Sequence, residues 1–246
     1  MSKPILELKA VHTHVGSYHI LQGVSFVVPE NQISVILGRN GAGKTTTLRT
    51  IMGLWKANAG AIHFDGKEIT SAGTPDISRN GVAYVPENMG IFRGLTVHEN
   101  LVLGTRTGHF DTERLETTLK LFPPLKTFWK LQAGNLSGGQ KQMLSIARAM
   151  LEPRKLIIID EPTKGIAPAI VDDLVEAFLA LKRSQTSILL VEQNFAFASE
   201  VGDHVAVMDG GQIIHAGPMG EISADATLQE RYLGLAVEDQ GAIHHG

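Results

Sequence analysis

The sequence predicts an α/β fold built on a mostly parallel β-sheet. Unbroken apolar runs are typical of strands buried on both faces, as in parallel sheets. Four such runs lie at residues 33–37, 82–85, 156–159 and 188–191. Segments with helical periodicity separate them, at residues 44–52, 140–150 and 170–181. Right-handed crossovers would bring the carboxyl ends of the strands to one edge. Because a glycine or a carboxylate lies within two residues of the end of every run, we expect one ligand site there.

The flanking segments predict two smaller parts. Residues 5–16, 23–28 and 60–65 are expected to form a small antiparallel β subdomain. Residues 88–153 carry helical periodicity, broken at Pro123-Pro124, and are expected to form an inserted helical subdomain.

We therefore expect a single domain over residues 1–246. Its core would comprise residues 1–87 and 154–246, with the helical subdomain at 88–153.

The C-terminal region predicts a hairpin and a final helix. Residues 205–208 and 212–215 flank the turn sequence Asp209-Gly210-Gly211. The helix is expected to end near Tyr232-Leu233 with Gly234 as its cap, and residues 238–246 are expected to be frayed.

Composition narrows the function classes. The chain has 246 residues, a formal charge of −3 and no cysteine, which excludes disulfides and thiolate metal sites. The near balance of charge does not favour nucleic-acid binding. The apolar runs are of strand length, far below the ~20 residues that cross a bilayer. We expect a soluble, cytoplasmic protein whose membrane role, if any, comes through partners.

A glycine-rich loop follows the first apolar run and predicts phosphate binding. The loop consists of Gly38, Arg39, Asn40, Gly41, Ala42, Gly43, Lys44 and Thr45. Its glycines allow successive amides to face an anion, and the start of the following helix favours negative charge. Lys44 can reach the β- and γ-phosphates of ATP, and the Thr45 hydroxyl can ligate Mg²⁺. The alternative is a strand-to-helix turn that merely needs glycines.

Two carboxylates end the third apolar run. Asp160 is expected to hold Mg²⁺, and Glu161 to act on the attacking water as a general base or by orienting it. The alternative is a solvated acidic pair at a strand end.

A second glycine-rich segment lies about a hundred residues after the loop, at Leu136-Ser137-Gly138-Gly139-Gln140. Ser-x-x-Gln is also a helix capping box, but a cap alone does not require two glycines, whereas a backbone nest for a phosphate does. Because Lys44 already supplies one side of a phosphate site, we expect Ser137 and Gly139 to serve a nucleotide bound to a partner subunit.

These motifs resemble the ATP-binding subunits of ABC transporters over nearly the whole chain. Residues 38–45 resemble the Walker A motif, 136–140 the family signature and 156–161 the Walker B strand with its catalytic glutamate. The resemblance implies a P-loop NTPase (RecA-like) core, ATP and Mg²⁺ as cofactors, and Mg-dependent ATP hydrolysis coupled to transport.

Departures from the commonest family pattern narrow the branch. Glu87 stands where most members have Gln, Gln193 where most have a switch His, and Ala167 where an Asp is usual. All three, like the ending Arg231-Tyr232-Leu233-Gly234, resemble the branched-chain amino-acid uptake branch, which includes urea and short-amide systems. Glu87 can still ligate Mg²⁺. Gln193 can donate a hydrogen bond to the γ-phosphate but cannot shuttle protons.

The adenine contact departs from the family as well. The position that usually carries a stacking aromatic residue is Val15, and Tyr18 could substitute or be a surface turn residue. Weaker base selectivity is therefore expected. Thr46, next to the phosphate loop, is expected to contact the nucleotide.

The resemblance also implies partners. Two such subunits, identical or related, would close head to tail around two ATP molecules and move two transmembrane permease subunits, served by a periplasmic or extracellular solute-binding protein. The chain would lie on the inner face of the cell membrane. The contact with the permease is expected beside Glu87, where Met89, Ile91, Phe92 and Leu95 line a groove or belong to the core.

Two rival functions stay open at this point. An exporter ATPase, of the lipid or lipopolysaccharide type, has a similar length and ending. A soluble ABC ATPase usually carries a second cassette, a long coiled coil or a basic extension. Glu87 and Gln193 favour uptake.

Overall fold

The computed structural model describes residues 3–183 and 186–234. The segment at 238–246 lies outside the described residues. In chain order the elements are β1 (Pro4–Val15), β2 (Tyr18–Pro29), β3 (Ile33–Leu37), α1 (Lys44–Ile51), β4 (Ala59–Phe64), β5 (Lys67–Glu68), α2 (Thr74–Arg79), β6 (Val82–Val85), α3 (Val97–Val102), α4 (Thr112–Leu121), α5 (Pro123–Thr127), a 3₁₀ turn (Ala133–Asn135), α6 (Gly138–Met150), β7 (Leu156–Asp160), α7 (Pro168–Arg183), β8 (Ser187–Glu192), α8 (Phe195–Val201), β9 (His204–Asp209), β10 (Gln212–Pro218), α9 (Met219–Ser223) and α10 (Ala226–Leu233).

The strands form two sheets. The larger has six strands in the order β10-β9-β3-β8-β7-β6, and all its pairs are parallel except β9 with β10. The smaller is antiparallel, with the order β2-β1-β4-β5. The predicted α/β class, with a mostly parallel core and a small antiparallel sheet, is confirmed.

The strand register brings the predicted ligand site together. Leu37 of β3 pairs with Glu192 of β8, and Val191 of β8 pairs with Asp160 of β7. Val85 of β6 pairs with Ile159 of β7. The carboxyl ends of these strands therefore lie side by side, as their sequence patterns predict.

Two hydrophobic cores flank the parallel sheet. Along β3, Val35 and Leu37 enter a core that includes side chains of α3 and α6–α8. Ile36 enters a second core, shared with α1 and the antiparallel sheet. Burial on both faces is the reason that these strands are continuously apolar.

Helices α3–α6 lie between β6 and β7, where the sequence predicts a helical insertion. Helix α4 ends at Leu121 and α5 begins at Pro123, so the predicted break is confirmed. The boundaries of the subdomain stay a prediction. Within the described ranges, no helix combines the length and apolar composition needed to span a bilayer.

Several elements differ from the sequence-based expectation. Strand β2 begins at Tyr18 rather than near Gly23, because Tyr18 already pairs with Val15 of β1. The short elements β5, α2 and α8 were not expected. Helix α8 begins because the Asn194 side chain accepts a hydrogen bond from the Phe197 amide, at 3.2 Å.

The predicted C-terminal hairpin and the predicted end of the final helix are confirmed. Strands β9 and β10 form the hairpin, with Gly210 and Gly211 at φ angles of 51° and 80° in its turn. Helix α10 ends at Leu233, and Gly234 caps it in the left-handed region with a φ of 67°.

Candidate nucleotide-binding site

The loop between β3 and α1 has the backbone of an anion cradle. Gly41 and Gly43 have φ angles of 82° and 108°, a region that favours glycine. Gly38 lies against β9, where a Cβ would stand 2.3 Å from the Met208 carbonyl oxygen. Gly43 is the N-cap of α1, so the unpaired amides of the first helical turn are available to a phosphate.

Lys44 is held inside this loop. Its side chain is 4% exposed, and Nζ donates to the carbonyl oxygens of Gly38, at 2.8 Å, and Arg39, at 3.1 Å. The same ammonium lies 3.3 Å from Glu161 Oε1. Among the described residues, the Lys44 ammonium is thus shared between the loop carbonyls and Glu161, the expected catalytic carboxylate.

Thr45 and Asp160 form a pair of hard oxygen donors. Thr45 Oγ1 donates to Asp160 Oδ1 at 3.1 Å, and the Tyr84 hydroxyl donates to Asp160 Oδ2 at 3.3 Å. Burial raises the pKa of Asp160, and the two hydroxyl hydrogen bonds partly offset this effect. Burial, followed by the charge of Asp160, raises the pKa of Tyr84 to about 12.

This donor set fits Mg²⁺. Hydroxyl and carboxylate oxygens are its preferred protein ligands, and it is usually held by one or two carboxylates together with phosphates and waters. Within the part of the chain that the structure describes, no group of three or more His, Cys, Asp or Glu residues is placed to hold a metal ion.

Glu161 occupies the centre of the site in an unusual backbone conformation. Its φ is 46°, and its side chain is 7% exposed. Oε1 accepts from Gln193 Nε2 at 2.7 Å, and Oε2 lies 3.2 Å from Lys164 Nζ. Burial opposes ionisation, but the hydrogen bond from Gln193 and the ammonium groups of Lys44 and Lys164 lower the pKa of Glu161 overall. Glu161 is therefore an ionised acceptor at neutral pH.

Gln193 joins Glu161 to the phosphate loop. Its amide nitrogen donates both to Glu161 Oε1 and to Asn40 Oδ1, each at 2.7 Å. This residue therefore lies between the loop and the carboxylate, and its role as a γ-phosphate sensor stays a prediction.

Glu87 is connected to the site through a lysine. Lys164 Nζ lies 2.7 Å from Glu87 Oε1 and 3.2 Å from Glu161 Oε2. Glu87 itself follows β6, and its charge is among the influences that raise the pKa of Asp160. Its expected role as a Mg²⁺ ligand would require it to leave Lys164.

The segment 136–140 does not take part in the contacts around the phosphate loop that are described above. Ser137 caps α6 in a capping box: its Oγ accepts from the Gln140 amide at 3.2 Å, and its amide donates to Gln140 Oε1 at 3.0 Å. Among the described residues, no hydrogen bond or ion pair given for this box reaches the phosphate loop of the same chain.

Gly139 has a packing reason within the chain. A Cβ there would stand 2.2 Å from Ile170 Cγ2 in α7, whereas a Cβ at Gly138 would make only an ordinary contact of 3.8 Å with Ile166. Packing against Ile170 is thus a second reason for glycine at this position, and the expectation that Gly139 serves a nucleotide on a partner subunit stays a prediction. Only Gly138 lacks such a packing reason.

Val15 and Tyr18 lie at the turn that joins β1 and β2. Val15 is half-buried, and Tyr18 is 73% exposed. Further along β2 the strand approaches the phosphate loop, because a Cβ on Gly43 would stand 3.2 Å from Leu21. Tyr18 is thus an exposed aromatic ring three residues before Leu21, and its contact with adenine stays a prediction.

The remaining expected contacts lie on the loop and the first turn of α1. Arg39 and Asn40 are exposed, Ala42 is buried, and Thr46 is half-buried. The Arg39 guanidinium packs close to Gly234, so the C-terminal turn lies beside the loop.

A cavity of about 580 Å³ lies beside Glu87. Its lining consists of Arg49, Leu54, Trp55, Tyr84, Pro86, Glu87 and Asn88. The four apolar residues expected to line a groove are not among them: Ile91 packs against the core, and Phe92 is exposed.

Sequence reasoning missed three residues that the site contains. Lys164 and Thr163 follow Glu161, and Glu192 precedes Gln193, yet their contacts join segments that are far apart in the chain. For Glu192, the one available signal was a charged residue at the end of a buried apolar run.

Comparison with known proteins defines the class. The family model described as "ABC transporter" matches residues 21–164. The chain belongs to this family and is an ATPase, the ATP-binding subunit of a transporter. It is 35% identical to the high-affinity branched-chain amino acid transport ATP-binding protein BraG of Pseudomonas aeruginosa, over 94% of this chain and 100% of that one.

More distant matches agree on the class. The chain is 29% identical to the ribose import ATP-binding protein RbsA of Bacillus subtilis, over 92% of this chain and 47% of that one. A crystal structure of the ADP conformation of an ATP-binding cassette of an ABC transporter superposes with a TM-score of 0.80 and 28% identity, covering 95% of this chain and 100% of that one.

Proposed function

We propose that this chain hydrolyses ATP to energise the import of branched-chain amino acids or related small polar amides. The observation that carries the proposal is the similarity to BraG along its whole length. Glu87, Gln193 and Ala167 support the proposal as well. At these positions the chain departs from the commonest family pattern and resembles the branched-chain amino-acid uptake branch.

A sugar importer is the second candidate, since RbsA of Bacillus subtilis also matches. Its support is weaker, because this chain spans less than half of that protein. The residues at 87 and 193 continue to favour uptake over export.

In the proposed chemistry, ATP lies over the phosphate loop. Lys44 exchanges its loop carbonyls for phosphate oxygens. Thr45 and Asp160, with Glu87 once it leaves Lys164, would hold Mg²⁺. When bound, Mg²⁺ would neutralise phosphate charge. Glu161, ionised and released from Lys44, orients the attacking water or accepts its proton. Gln193 donates to the γ-phosphate.

The proposed assembly has two ATP-binding subunits. Ser137 and Gly138 are exposed at the start of α6, where they can approach a nucleotide on a second subunit. Two permease subunits would contact the cavity beside Glu87, and a solute-binding protein would deliver the solute. The chain would then lie peripherally on the cytoplasmic face of the membrane.

The head-to-tail pairing can be tested by crosslinking. Because the chain has no cysteine, Arg39→Cys and Ser137→Cys introduce unique thiols. Mixed in a Glu161→Gln background with Mg-ATP, the two variants should form a disulfide-linked dimer that ADP does not support. Crosslinking that is independent of nucleotide would contradict the pairing.

The solute can be tested by uptake in the source organism. A strain that lacks this gene is complemented with the wild-type chain or with Glu161→Gln, and uptake of labelled leucine, isoleucine, valine, urea, acetamide and ribose is measured. We expect wild type alone to restore uptake of a branched-chain amino acid or an amide. Restoration of ribose uptake alone would favour the sugar importer, and unchanged uptake of every solute would reject import of this set.

A further inference from the structure

Glu192 is a buried carboxylate to which the proposed chemistry assigns no role. It is the last residue of β8 and is 2% exposed. It pairs in register with Leu37, the last residue of β3 before the phosphate loop. A carboxylate in such a place is costly unless its oxygens are fully hydrogen-bonded.

The hydrogen bonds of Glu192 come from two separate segments. Oε1 accepts from the Thr163 amide at 3.0 Å and from the Thr163 hydroxyl at 2.8 Å. Oε2 accepts from the amides of Gln193, at 3.0 Å, and Asn194, at 3.2 Å. Burial raises the pKa of Glu192, and these bonds oppose that effect. All four partners donate, so the arrangement suits a carboxylate and not a carboxamide.

These bonds hold the backbone on either side of the catalytic groups. Thr163 lies two residues after Glu161, whose φ of 46° is rare for a residue with a long side chain. Such a conformation persists only where the surroundings fix it. The Glu161 amide donates to the Val191 carbonyl at 2.9 Å. Two residues further along the chain, the hydrogen bonds from Thr163 to Glu192 connect the segment after β7 to the end of β8 a second time.

We propose that Glu192 is a positioning residue that fixes the expected catalytic carboxylate Glu161 relative to Gln193, acting through Thr163 and the Gln193 amide. The proposal rests on the function proposed above, in which Glu161 and Gln193 act on ATP. In that function Glu192 would contact neither the nucleotide nor the attacking water, so its removal should impair turnover and leave ATP binding intact.

The test separates positioning from simple stabilisation of the fold. The full chain is made as Glu192→Gln, Thr163→Val, Thr163→Ser and the double variant Glu192→Gln/Thr163→Val. In Glu192→Gln the carboxamide nitrogen must face a donor. Thr163→Val is isosteric and loses only the hydroxyl bond, while Thr163→Ser keeps it. For each protein we would measure the unfolding temperature, the affinity for a fluorescent ATP analogue without Mg²⁺, and kcat at saturating Mg-ATP per folded molecule.

The expected result is a split between kcat and affinity. Glu192→Gln should lower kcat at least tenfold while changing nucleotide affinity less than twofold, because among the described residues the Glu192 side chain bonds to Thr163, Gln193 and Asn194 and not to the phosphate loop. Thr163→Val should lower kcat severalfold, and Thr163→Ser should recover most of it. Because both substitutions act on the same hydrogen bond, from the Thr163 hydroxyl to Glu192, the double variant should be less impaired than the product of the single effects.

Other outcomes overturn the proposal. If Glu192→Gln lowers the unfolding temperature but keeps the wild-type kcat per folded molecule, Glu192 only stabilises the fold. Should Glu192→Gln fail to fold, equal kcat values for Thr163→Val and Thr163→Ser would reject the proposal by themselves. Failure of the underlying function looks different: Glu161→Gln would then turn over ATP as fast as wild type.

Discussion

The hydrogen bond between Gln193 and Glu161 allows a quantitative prediction for Gln193→Ala. Gln193 Nε2 donates to the ionised Glu161 at 2.7 Å and to Asn40 at the same distance. A hydrogen bond to a charged group contributes about 1.5–3 kcal/mol. If the Gln193 hydrogen bond stabilises the transition state by this amount, its loss should lower kcat roughly 10- to 150-fold. About 1.4 kcal/mol corresponds to a tenfold change in rate.

The assay is steady-state ATP turnover by the full chain at saturating Mg-ATP, with ATP affinity measured separately. Affinity should change little, because Lys44 and the loop amides carry phosphate binding. Gln193→Glu is the matched control: it keeps the shape but places an acceptor against Glu161 Oε1, so it should be at least as impaired. A kcat of Gln193→Ala within twofold of wild type would refute the assigned role.

Three further predictions follow from charge and packing at the site. Lys164→Met removes a cation that lowers the pKa of Glu161, so the acidic limb of the turnover profile should move to higher pH, while Lys164→Arg should leave it in place; an unmoved limb would exclude this electrostatic link. Since the folded-state pKa of Glu161 is lowered, its contribution to stability is present above the unfolded value of about 4.3 and is lost as pH falls through the folded value. The melting temperature of wild type minus that of Glu161→Gln should therefore decrease in acid, and a constant difference would contradict the shift. Gly139→Ala forces a Cβ to within 2.2 Å of Ile170 and should lower the free energy of unfolding by about 1–3 kcal/mol. Adding Ile170→Ala to the same chain should recover part of that stability. If ATP turnover returns together with the stability, Gly139 serves packing alone.

The exposed Tyr18 gives a last prediction, on base selectivity. GTP should compete measurably with ATP, and Tyr18→Ala should weaken nucleotide binding without lowering the melting temperature, because the side chain is 73% exposed. Competition binding with the two nucleotides checks this. A large preference for ATP that survives Tyr18→Ala would place the adenine contact elsewhere.

The parallel core could be predicted because its signals are local. A strand buried on both faces must be apolar throughout, and the phosphate loop needs glycine at Gly41 and Gly43 wherever it occurs. The start of β2 at Tyr18 could not be predicted in this way, since its first residues are polar and are held by pairing with β1. Likewise, nothing local to Gly139 indicates that Ile170 packs against it.

By itself, the order of residues determined the α/β class, the loop at 38–45 and the carboxylates that end β7, because each depends on neighbouring residues and on the periodicity of burial. Tertiary structure alone decided that Lys164 lies between Glu87 and Glu161, and that Glu192 ties Thr163 to Gln193. These contacts join the ends of different strands. Their geometry depends on the register of β6, β7 and β8, and a register is a property of the assembled sheet rather than of any one segment.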